Sequence, residues 1–108
     1  MSEEQKNDLQ VYETRRFAKA LSKLPENLLS VVEDEIEKII DNPEIGELKK
    51  GDFAFLQVHK FLLNSRLALM GYCWKEEKIE LYLLDIEPHE NFYQEQKRHR
   101  KMDLKLIR

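Results

Sequence analysis

The residues best suited to chemistry stand close together after the last apolar stretch: His89, Glu90 and Tyr93, with Lys97 four positions beyond the tyrosine. A histidine or a carboxylate can take or give a proton, a tyrosine ring can stack on a base or donate a proton, and a lysine can hold an anion. If the segment after Pro88 is helical, Tyr93 and Lys97 fall on one face with Glu90 a turn ahead. Lys60, inside an otherwise apolar stretch, and Arg66, at the start of the next, supply further positive charge for the same anion. Each also has a plainer reading. His89 could close the turn after Pro88, and Phe92 would pack a helix onto a sheet. Lys60 could lay its stem along apolar surface with only its head in water, and Arg66 could be a solvated strand-start cation. His59, flanked by phenylalanines at strand spacing, is expected to be a hydrogen-bonded core histidine. Cys73 beside Trp74 is expected to be a small buried apolar group.

The elements that must carry these residues follow from periodicity. A short β-branched and aromatic stretch at residues 9–12 is expected to form an edge strand. Phe17, Leu21 and Leu24 recur at helical spacing until Pro25. Leu28, Leu29, Val32, Ile36, Ile39 and Ile40 then make a second apolar stripe that Asn42-Pro43 stops. These two helices predict an antiparallel hairpin. Residues 53–63, 66–74 and 79–86 read as three strands of a meander joined at Asn64-Ser65 and at Lys75-Glu76-Glu77-Lys78. Glu90 to Lys101 is expected to be a polar terminal helix or arm. The fold class is therefore α+β, in the order β-α-α-β-β-β, with the helical hairpin on one face of a small twisted antiparallel sheet and the other face open to a ligand. A β-bulge near His59-Lys60 would turn both side chains to one side.

With 108 residues, three glycines and three prolines, the chain has the make-up of one compact domain, residues 1–108, with residues 1–8 expected to be flexible. A single cysteine excludes an internal disulfide and a cysteine-based structural metal site, and fits a reducing cytoplasm. Neither a secretory leader nor an apolar run long enough to span a bilayer is visible, so no membrane role is expected. The formal net charge of −3 argues against a generic nucleic-acid binder. Charge is divided unevenly, however. Residues 89–108 carry six Lys/Arg against three Asp/Glu, whereas residues 26–47 hold eight acids against Lys38 alone. The first is a basic C-terminal arm, and the second has the pattern of a solvated helix face.

The element order, Leu48-Lys49-Lys50-Gly51, Gly51-Asp52, Val58-His59-Lys60-Phe61, the strand begun by Arg66 and His89-Glu90-Asn91-Phe92-Tyr93 together resemble the RelE/ParE superfamily of bacterial toxins, nearest its ParE-like branch. The similarity spans roughly residues 9–100. It implies a toxin of a type II toxin–antitoxin pair, neutralised by a cognate antitoxin protein. RelE-type members cut mRNA on the ribosome, whereas ParE-type members act on DNA gyrase without being hydrolases; a degenerate, non-toxic member is the third possibility. For RNA cleavage by internal attack, His89 or Glu90 would accept the 2′-hydroxyl proton, and Tyr93 would stack or donate a proton. Lys60, Arg66 and Lys97 would hold the phosphate, without metal or other cofactor.

Overall fold

The computed structural model of the chain describes residues 9–108. The expectation for residues 1–8 lies outside them. Strand β1 (Gln10–Glu13) leads into helix α1 (Arg15–Ser22), and α2 (Glu26–Asp41) completes the predicted hairpin. Then follow β2 (Glu47–Leu48), β3 (Gln57–Leu63), β4 (Arg66–Lys75), β5 (Glu80–Pro88) and helix α3 (Phe92–Ile107). The sheet has the order β1-β5-β4-β3-β2. The meander is antiparallel as expected, but β1 runs parallel to β5, so the sheet is mixed. Residues 53–56 are not strand, because Gly51–Phe53 turns as a short 3₁₀ helix, with Gly51 at φ +65°. The Asn64-Ser65 turn has φ values of 53° and 64°, the left-handed pair that lets a two-residue connection follow strand twist without glycine.

Thr14 shows how local chemistry fixes the layers. Its hydroxyl caps α1 by accepting from the Phe17 N–H at 3.0 Å and donates to the Leu84 carbonyl of β5 at 2.7 Å. The hairpin stripe then buries Phe17, Val32 and Ile39 against Phe61, Met70, Tyr72, Leu81, Leu83 and Ile86. The Tyr72 hydroxyl, inside this layer, accepts from the Gly46 N–H at 2.8 Å and donates to the Pro43 carbonyl at 2.7 Å, tying the end of the hairpin to β4.

The opposite face is not open, as the sequence reading expected. Helix α3 runs to Ile107 and lies across it, with Phe92 and Ile107 in one buried cluster with Leu56, Val58, Leu69, Cys73 and Leu84. The amphipathic pattern of α3 was hidden by its charge, since its buried face includes Gln96 and Asp103. Gly71 makes the close approach possible: a Cβ there would stand 2.9 Å from the Phe92 ring and 3.1 Å from Leu56. The bulge lies in β5, not near His59-Lys60. The register steps from Gly71↔Asp85 to Tyr72↔Leu83, leaving Leu84 as the extra residue. Leu81 and Leu83 face the hairpin before it and Ile86 faces the hairpin after it, so Asp85 and Glu87 are delivered to the α3 side.

Candidate functional site

Directly opposed residues in a sheet project from the same face. Lys60 on β3 opposes Leu69 on β4, which opposes Glu87 on β5; in the next row Leu62 opposes Leu67, whose carbonyl accepts from the His89 N–H at 3.1 Å. Lys60, Glu87 and His89 therefore share the α3 side of the sheet. Helix α3 covers Gly71 and Leu56 through Phe92 but leaves this corner bare, with Leu62 68% and Leu67 38% exposed. Lys60 and His89 are exposed at its edges.

Tyr93 flanks this corner, 37% exposed and held edge-on by Phe92, with ring centroids 5.1 Å apart. The Lys49 ammonium stands 5.3 Å from the centre of the tyrosine ring and pairs with Glu47 at 2.7 Å. Hydrogen bonding to Glu47 and Tyr93 raises the Lys49 ammonium above its ordinary range. Glu47 opposes Val58, two residues before Lys60 on the same face, and the charge of Lys60 reaches it. Lys97 lies one turn beyond Tyr93 and Arg100 a turn further, where its Nε donates to the Asp52 carbonyl at 2.7 Å. The result is a basic flank with Lys49 at the ring, Lys60 beyond Glu47, and Lys97 and Arg100 following Tyr93 at helical spacing along α3.

Arg66 does not join it. It opposes Leu63 and alternates with Ala68 and Met70 on the hairpin side, where it lines an apolar hollow of about 220 Å³ with Ala20 and Leu24. The physical reason is strand parity, which puts Lys60 and Arg66 on opposite faces. Glu90 lies exposed in the Pro88–Asn91 turn, closed by the Asn91 N–H to Pro88 carbonyl bond at 3.0 Å. His59 is the core-facing histidine expected, with Nε2 2.7 Å from Glu35 on α2. Burial pushes the Cys73 thiol up to about 11, which makes it inert. Among the described residues no group of three or more His, Cys, Asp or Glu is placed to hold a metal.

Sequence reading included Arg100 in its basic terminal run but missed Lys49 as a member of the flank, and missed a polar cluster under α3. Arg16 of α1 donates to both carboxylate oxygens of Asp103 at 2.9 and 2.8 Å, and its Nε lies 3.4 Å from Asp85. Asp85 also accepts from the Ile86 N–H and from Gln96, each at 2.9 Å. Desolvation works to lower the Arg16 guanidinium, but the two aspartates outweigh it and hold it above its usual value. Glu87 lies beside Asp85, and burial together with that negative neighbour pushes its carboxyl up to about 7. Burial also raises Asp85, against Arg16 and the Ile86 N–H. The donors of the cluster, from Arg16, Gln96 and the Ile86 N–H, all point at Asp85. No local sequence signal marks this pair; it depends on the β5 bulge.

Three helices on a five-stranded mixed sheet, with a basic, aromatic-flanked corner, make an α+β sandwich of a recognisable class. Residues 11–97 match the family described as ParE-like toxin of type II bacterial toxin–antitoxin system, and the chain belongs to that family. No curated protein matches the sequence. Among solved structures, the RelBE2 toxin–antitoxin complex of Mycobacterium tuberculosis is similar with a TM-score of 0.62 at 19% identity, covering 76% of this chain and 99% of that one. The intact Escherichia coli RelBE complex is similar at 0.60 and 16% identity, over 74% and 95%. A doubly substituted E. coli RelE in the free state is similar at 0.62 and 16% identity, over 80% and 88%. The fold is thus RelE-like.

Proposed function

We propose that this toxin is a RelE-like endoribonuclease that cuts mRNA on the ribosome, in the cytoplasm, and is held inactive by a cognate antitoxin. The observation that carries the reading is the bare sheet corner where Lys60 and His89 share a face beside Tyr93 and its lysines. Lys60 and Lys97 would hold the scissile phosphate, and Tyr93 would stack on a neighbouring base. His89 would give a proton in the internal attack by the 2′-hydroxyl, and a carboxylate near it would take one. A basic flank on an acidic chain confines RNA contact to this corner and sets it against the acid-rich α2 side. The antitoxin would act by covering the exposed Leu62 and Leu67 and the adjoining cations.

A second reading, binding-only inhibition of DNA gyrase, is favoured by the ParE-like family itself. Controlled expression followed by mapping of RNA ends separates the two. New mRNA ends within coding regions, lost in a His89→Ala/Tyr93→Ala variant, are expected; inhibition of gyrase supercoiling by the pure protein with RNA intact would replace the first reading by the second.

A further inference from the structure

The geometry points to Glu87, not Glu90, as the group that takes the 2′-hydroxyl proton, with Asp85 as its positioning residue; this rests on the endoribonuclease reading. Glu87 lies on the same face as Lys60, two strands away across Leu69. Strand spacing makes that roughly 10 Å between backbones, a span that a phosphodiester and its ribose can bridge. His89 follows two residues along the same strand direction, on the same side. Glu90, by contrast, sits beyond the sheet in the turn, and no row of the sheet aligns it with Lys60.

The groups that face Glu87 explain its readiness. On its own strand is Asp85; from α3 comes the negative charge of Glu95, and from α1 the positive charge of Arg16. Arg16, Gln96 and the Ile86 N–H hold Asp85 in place, so Asp85 cannot swing away to relieve the crowding of two carboxyl groups. Glu87 is partly buried but not enclosed. A carboxylate that holds and releases a proton near neutrality suits a general base.

The step balances without a co-reactant. The 2′-oxygen gives its proton to the Glu87 carboxylate and its electron pair forms a bond to phosphorus. The bond from phosphorus to the 5′-oxygen breaks, and that oxygen takes a proton from protonated His89. The products are a 2′,3′-cyclic phosphate and a 5′-hydroxyl end, and Lys60 lies beside the charge that builds on phosphorus.

The test is single-turnover cleavage of ribosome-bound mRNA between about pH 5 and 9 by the full chain and by Glu87→Gln, Glu90→Gln and Asp85→Asn. The expected rate of the unaltered chain climbs with pH toward neutrality and falls again toward about pH 9, because the step needs a deprotonated Glu87 and a protonated His89 together. Glu87→Gln loses at least about 100-fold in rate while RNA affinity holds, Glu90→Gln keeps the full profile, and Asp85→Asn moves the inflection to lower pH. Thermal unfolding of Glu87→Gln at about pH 8, at or above the unaltered chain, shows that the loss is not misfolding. Cleavage by a folded Glu87→Gln at the unaltered rate and profile overturns the assignment while leaving the nuclease intact. An unaltered chain that cuts no RNA overturns both, and is told apart from that result by the control lane alone.

Discussion

One histidine meets each face of the sheet, His59 from within β3 and His89 from the turn after β5, and the two are used in opposite ways. His59 sits under α2, 11% exposed, and is pinned by Glu35, itself 13% exposed and also bound to Lys38. His89 stands exposed at the other face, held by its backbone alone among the bonds found for the described residues. The carboxylates follow the same division. Burial works to raise Glu35, but hydrogen bonds from His59 and Lys38 outweigh it and hold the carboxyl below its ordinary value, so it stays charged. Glu87 has Asp85 for a neighbour and is pushed up instead. The difference teaches that neighbours decide what each carboxylate does: Glu35 is spent on joining α2 to β3, whereas Glu87 is held beside Asp85 at the edge of a bare corner.

The largest expected effect breaks the support of the α3 face. Arg16→Leu leaves Asp85 and Asp103, 1% and 2% exposed, without their shared cation. Removing one partner from a buried charge cluster costs about 3–5 kcal/mol, and the partial exposure of Arg16 sets the expectation at the lower end, about 3 kcal/mol. Urea unfolding measures it; a loss below about 1 kcal/mol would mean that α3 is seated by its apolar residues alone. Next comes Gly71→Ala, which drives a methyl into the Phe92 ring and should cost about 1–3 kcal/mol. Faster hydrogen exchange in α3 than in α2 is the expected signature, because only the α3 face is overfilled.

The difference between the faces also explains what was legible beforehand. The hairpin followed from its apolar stripes and the two prolines, and the meander from its runs of strand formers. Residues 90–101 read as a terminal helix or arm, but the docking of α3 was not visible: Asp103 looks solvent-facing until Arg16, far earlier in the chain, is known to bond it, and Gln96 until Asp85 is known to accept from it. The sequence pattern grouped Lys60, His89 and Tyr93 as one expected surface. It misplaced Arg66 because the Asn64-Ser65 turn fixes register, and register decides the face. Glu87 escaped notice because a one-residue bulge, invisible in composition, carries it to the α3 side.

A smaller effect is expected on the hairpin face from His59→Ala. The lost bond to Glu35 is partly exposed and Lys38 remains, so about 1.5 kcal/mol is expected. Its pH dependence has a definite sign. Because the folded carboxyl lies below its ordinary value, the contribution is present above the ordinary value near 4.5 and disappears as pH falls through the lower, folded value. The stability gap between His59→Ala and the unaltered chain should therefore narrow in strong acid, and RNA cleavage by the variant should be unchanged. A cleavage defect without a stability defect would erase the division between the faces.

Least in stability, and most telling for the open face, is Tyr93. Its ring is 37% exposed and its contacts are one edge of Phe92 and the Lys49 ammonium, so Tyr93→Ala should change unfolding by less than about 0.5 kcal/mol. Stacking on a base is worth about 1–3 kcal/mol, so RNA affinity should fall by about 10-fold or more. Tyr93→Phe keeps a ring over Lys49 and should keep that affinity. If Tyr93→Phe bound as weakly as Tyr93→Ala, the hydroxyl rather than the ring would be the contact, and Tyr93 would belong with the proton-transferring groups instead of with the stacking surface. Equal affinity for all three, measured at the same salt, would move the RNA away from this flank of α3 and leave the lysines around it as ordinary solvated charge.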